Sequence, residues 1–297
     1  MNYNLKKYFN INNFFFLLLI CILSVINFFL DLPSSYIYIL CFLLIATIGV
    51  SHGAYDGKKG EILFNDKFKN SKFIFYFIYT ALVFLVFIFW YLNPLISLII
   101  FLLISSLHFG KEDLEIYLDK KYRHLPLLFF LKGSLIILLP LFFNFEKTNL
   151  IFNTILFSNN YLLLSNNYVK FILAINLLMQ VLFYLYIYFI KKLNRSDFFS
   201  IIFEIFLIII IFYLFTPIVA FTLYFCFMHS VKNILLISDE LNSNLFRGFQ
   251  IFVKRSLFLT LITFFILLIS LFFLIKFDLL ENSIEKIIFI GLASLTL

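Results

Sequence analysis

The stretch FFFLLLICILSVINFFL, residues 14–30, holds seventeen residues without a single charge. A helix that crosses a bilayer needs about 20 predominantly apolar residues, and this run is one of ten of its kind. The others lie near 35–52, 73–92, 95–109, 125–143, 168–190, 198–215, 217–237, 256–276 and 284–297, and the first extends over about 12–30. Pro217 leaves open whether 198–237 is two helices or one kinked one, because membrane helices tolerate proline. The chain is 63% apolar and only 13% charged, against about 25% charged in soluble domains, and its mean hydropathy is +1.05. The fold class that follows is an all-α polytopic integral membrane protein, a bundle of about eight to ten transmembrane helices. No internal repeat or linker divides the chain, so residues 1–297 read as a single transmembrane domain. Because the last run stops at IIFIGLASLTL without a polar flank, the final helix is expected to be truncated.

Sidedness follows from the basic residues. The first run is preceded by Lys6 and Lys7 and followed by no small-residue cleavage site, which makes it an uncleaved helix with a cytoplasmic N-terminus. If ten helices alternate from there, eighteen basic residues fall on the cytoplasmic side, Lys58, Lys59, Lys191, Lys192, Arg195 and Lys232 among them. Only Lys147, Lys170, Lys276 and Lys286 fall opposite, and Lys132 lies within a helix. The net charge of +7 therefore belongs to topology in a cell inner membrane and to contact with anionic membrane lipid. No basic, aromatic-interleaved face suited to nucleic acid is present. Cys21, Cys41 and Cys226 sit in apolar runs without C-x-x-C spacing and read as small buried hydrophobes. The 22% aromatic content is spread through loops and spans alike, so it marks no binding box.

Against this background the four histidines stand out. His52 ends the second span, His108 ends the fourth and His229 lies in the cytoplasmic half of the eighth, so alternation brings three distant imidazoles to one membrane depth. A metal site between helices is built in this way. Four residues on from each stands a carboxylate or an amide: Asp56, Glu112 and Asn233. On a continuing helix positions i and i+4 share a face, so each of these groups can ligate the ion or orient an imidazole. Gly53, Gly57 and Gly110 are candidate helix breaks. Imidazoles with oxygen ligands suit iron, zinc or copper better than magnesium or calcium. A lone histidine at a helix end is ordinarily an interfacial residue, and His124, in the basic stretch DKKYRHL, reads as one. Lys132 and Glu204 are charges placed within spans and read as a structural ion pair.

Three segments, SHGAYD at 51–56, SSLHFGKED at 105–113 and FTLYFCFMHS at 221–230, resemble the Brp/Blh family of bacterial and archaeal membrane β-carotene 15,15′-dioxygenases, in order and spacing over nearly the whole chain. The resemblance implies an iron(II) enzyme, with Fe(2+) held by His52, His108 and His229, that cleaves β-carotene at its central double bond with O2 to give two retinal. It also implies a retinal-binding rhodopsin as product acceptor. One departure matters: the family commonly has a second histidine four residues after that of the third segment, where this chain has Asn233. The family also continues L-T-L-P-H near its C-terminus, and this sequence stops at LTL.

Two other readings stand beside it. One is a carotenoid- or retinoid-binding membrane protein without activity. The other is a transporter whose ion path is marked by Lys132 and Glu204. A diiron desaturase is disfavoured, since no two histidines are closer than 16 residues.

Overall fold

The structure, a computed structural model, describes residues 3–30, 32–55, 71–118, 125–158 and 165–295. These form eleven helices, and no strand occurs among the described residues. They are α1 (Tyr3–Phe29), α2 (Ser34–Gly49), α3 (Ser71–Leu92), α4 (Pro94–Leu114), α5 (Pro126–Phe143) and α6 (Phe145–Ile155), then α7 (Asn166–Phe189), α8 (Arg195–Leu214), α9 (Pro217–Leu241), α10 (Leu245–Leu274) and α11 (Leu280–Leu295). Eight of them, α1, α3, α4, α5, α7, α8, α9 and α10, are long and apolar enough to cross a membrane. The chain is a multi-pass membrane protein.

Local chemistry sets the helix starts. Pro94, Pro126 and Pro217 each open a helix at a position where the missing N–H costs nothing. Pro217 thus divides α8 from α9 rather than kinking one long span. Asn194 Oδ1 accepts from the Asp197 N–H at 2.7 Å to cap α8, and Asn244 caps α10 in the same way through Arg247.

Three elements depart from the expected spans. The short helix α6 lies in a segment read as a connection, where its three turns carry Glu146, Lys147 and four further polar residues, and hydropathy alone does not mark it. Helix α10 begins at Leu245, well before residue 256, because its first three turns are basic and solvent-facing at Arg247, Lys254 and Arg255. Helix α4 runs through Gly110 to Leu114, so Gly110 does not break it.

Gly110 has a different task. A Cβ on it would lie 1.7 Å from the Phe129 carbonyl oxygen, and one on Gly133 would lie 1.9 Å from the Ser106 carbonyl oxygen. Helices α4 and α5 therefore meet backbone to backbone, as membrane helices do through small residues. Helix α5 is then clasped from its other side by α7. Asn176 Nδ2 donates to the Leu131 carbonyl and to Ser134 Oγ, and Gln180 Nε2 donates to the same carbonyl at 2.9 Å. The most buried spans are α5 and α9, while the apolar stretch of α10 buries none of its side chains against the protein. Lipid is the solvent for that surface. The centre of the bundle is thus α5 and α9, with α2, α4 and α8 around them.

Candidate metal centre

Two helices widen where they reach the histidines. Helix α2 passes into a π-helical turn at Ile45–Gly49, three residues before His52, and α9 is π-helical over Tyr224–Ser230, which contains His229. Such turns carry an extra residue and rotate the side chains that follow, and they occur often at functional sites. The two wide turns are joined, since Ser230 Oγ donates to the Gly49 carbonyl at 3.1 Å. His52 then caps a single 3-10 turn, Gly53–Tyr55, by accepting from the Tyr55 N–H.

The imidazoles converge. The ring of His229 lies 5.4 Å from that of His52 and 5.7 Å from that of His108, centroid to centroid. Glu112, one turn beyond His108 on α4, places Oε2 3.2 Å from His229 Nε2 and 3.6 Å from His108 Nε2. One ligand atom from each of His52, His108, Glu112 and His229 lies within 4.8 Å of every other. Among the described residues, His52 Nδ1 is a buried nitrogen without a hydrogen-bond partner. Three imidazoles and a carboxylate gathered at these distances are a donor set suited to a transition-metal ion.

Two more groups fix His229, which is fully buried. Asp113 Oδ1 lies 3.2 Å from its Nδ1. A carboxylate only accepts, so with an ion at Nε2 this contact would hold the ring proton on Nδ1, and it orients the ring with Nε2 toward Glu112. Asp113 is itself held by the Tyr224 hydroxyl, which donates at 2.9 Å. Asn233 Nδ2 donates to Glu112 Oε2 at 2.5 Å and lies 3.5 Å from His229 Nε2. Asp56 and His124 lie outside the described residues.

Behind Asp113 lies a second buried polar group built on Glu204 of α8. Lys132 Nζ is 3.9 Å from Glu204 Oε2, but the closer cation is Lys232, at 2.5 Å from Oε1. Tyr117 and Asn13 donate to the same carboxylate at 2.6 and 3.2 Å. The alternation of spans counts Lys232 among the cytoplasmic-side basic residues. The structure buries it, at 1% exposure, because three residues after His229 it turns inward toward Glu204. Asp113, Tyr117 and Lys232 were all missed: their partners come from other helices, and i to i+4 spacing does not reveal them.

The walls of the centre are aromatic. Phe225 stacks on His229 at 5.8 Å, and Phe109 meets it edge-on at 4.9 Å. From Phe109 and Phe221 a narrow apolar slot of about 70 Å³ leads away between α4, α5, α6 and α9, past Leu102, Phe101 and Leu98 toward Phe152 and Ile155. From Phe109 to Leu98 is eleven residues of α4, roughly 16 Å at 1.5 Å per residue. A wider polar cavity, about 740 Å³, opens at the far end of the bundle beside Tyr38, Glu281, Glu285 and Lys286, and none of the centre's residues lines it.

Fold and site together define a class: a polytopic helical membrane protein with a histidine–carboxylate cluster set between helices at one end of its bundle, His229 buried and His52, His108 and Glu112 partly exposed. The family model for β-carotene 15,15′-dioxygenase matches residues 43–297, and the chain belongs to that family. It is 28% identical over 255 residues to a β-carotene 15,15′-dioxygenase of an uncultured marine bacterium, 66A03, an alignment that covers 85% of this chain and 88% of the relative. No solved structure is significantly similar.

Proposed function

We propose that this protein is an iron-dependent enzyme that breaks the central double bond of β-carotene with O2 and releases two retinal. Family membership supports the reaction. The observation that carries the reading for this chain is the convergence of His52, His108 and His229 beside Glu112, with ligand atoms within 4.8 Å of one another. In the reading proposed, the three histidines hold Fe(II), and the bound iron supplies the binding and activation of O2.

The protein's own groups do the rest. Asp113, 3.2 Å from His229 Nδ1, fixes the ring with Nε2 on the metal side. Phe109, Phe225 and Tyr224 exclude water from one flank of the cluster, where an oxidised polyene would otherwise be exposed to side reactions. β-Carotene dissolves in the hydrocarbon layer, so a metal among helices receives it sideways from lipid. The apolar slot that begins at Phe109 marks the direction in which one half of the polyene would lie against the protein, held by dispersion contacts. The rings of Phe109, Phe221 and Phe289 line the slot. The same reading sets the centre in the cytoplasmic half of an inner membrane, as the unequal division of basic residues indicates.

Cells that accumulate β-carotene test the proposal. Expression of the protein is expected to bleach them and yield retinal, and His52→Ala, His108→Ala or His229→Ala is expected to abolish retinal while the protein remains in the membrane. Unbleached cells containing folded, iron-replete protein would refute the enzyme reading in favour of carotenoid binding.

A further inference from the structure

We infer that Glu112 is itself a ligand of the metal, and that Asn233 serves as the donor that fixes its carboxylate; the centre is then three imidazoles and one carboxylate. The inference rests on the proposed metal centre and goes beyond its three histidines. Ligands at about 2.1 Å from one transition-metal ion stand about 3.0 Å apart at octahedral angles and about 3.4 Å apart at tetrahedral ones. Glu112 Oε2 stands 3.2 Å from His229 Nε2, between those two spacings, and 3.6 Å from His108 Nε2, about 0.2 Å beyond the larger. Glu112 Oε2 belongs to the same cluster as the three imidazoles, one ligand atom of each lying within 4.8 Å of every other, so an ion held by the histidines has this carboxylate within reach.

Asn233 occupies the place where the family resemblance has a second histidine, yet it does not replace one. Its amide nitrogen, which has no lone pair to give, points at Glu112 Oε2 at 2.5 Å. Flipping the amide would set oxygen against oxygen, so the hydrogen bond fixes the orientation. In this position the side chain cannot ligate, but it holds Oε2 toward the imidazoles. The imidazole that Asn233 removes is thus balanced by a carboxylate from α4.

Iron binding tests this separately from catalysis. The full chain, purified in detergent, stripped and titrated anaerobically with Fe(II) against a chromogenic chelator, gives an affinity for each variant. Asn233→Ala is expected to weaken binding about 10–100-fold, as loss of an outer hydrogen bond does. Glu112→Gln, which keeps shape and removes the anionic ligand, is expected to weaken it further, beyond about 100-fold. The double variant Glu112→Gln, Asn233→His is expected to bind more tightly than Glu112→Gln alone, because an imidazole then fills the vacant coordination position. A Glu112→Gln loss no larger than that of Asn233→Ala, or a double variant no tighter than Glu112→Gln, overturns the inference. Retinal formation by the wild-type protein is measured in parallel. Its absence with Glu112-dependent iron binding removes the proposed reaction and leaves the ligand assignment standing.

Discussion

At the scale of single residues, Gly110 is as demanding as the histidines. Its Cα faces the Phe129 carbonyl, and a methyl group there would sit 1.7 Å from that oxygen. Gly110→Ala must push α4 from α5, at a cost of about 1–3 kcal/mol or more for overpacking, and must carry His108 and Glu112 away from His229. A lower unfolding temperature and lost iron retention are expected from thermal scans and metal analysis of the purified variant; unchanged values for both would contradict the close contact. His52, His108 and His229 were legible because imidazoles are scarce in this chain and the alternation of spans assigns each a depth. Asp113 was not, since five residues on from His108 it sits about 140° around the helix, outside the i+4 pattern. Lys232 was misread for a related reason. A lysine near a helix end ordinarily snorkels to the interface, and only the arrival of Glu204 from α8 turns this one inward.

At the scale of elements, apolar length alone predicted the long spans. It did not predict the two wide turns, Ile45–Gly49 and Tyr224–Ser230, because an inserted residue changes the phase of a helix without changing its composition. These turns aim His52 and His229 at a common point, so the part of the site that periodicity misses is the part that sets its geometry. The start of α10 was hidden by its basic first turns, and α6 by its polar ones. Both lie where a helix is stabilised by its neighbours and not by an apolar run of membrane length.

For the whole molecule, the basic residues give an expected sidedness, and two of the helix ends it groups lie together. Lys6 at the start of α1 pairs with Asp197 at the start of α8 at 2.5 Å, so two helix ends assigned to one side by charge do meet. Reporter fusions after Lys192 are expected to report cytoplasm and fusions after Lys147 the opposite face; the reverse result would move the centre to the outer half of the membrane. The most direct measurement is the iron content of the purified, full-length protein beside that of His52→Ala, His108→Ala and His229→Ala. One shared centre predicts about one iron per wild-type chain and loss of that iron in each variant alike, since the three nitrogens converge with Glu112 on one point. Wild-type protein without iron after anaerobic loading, or a full iron complement in any one of the three variants, would contradict it.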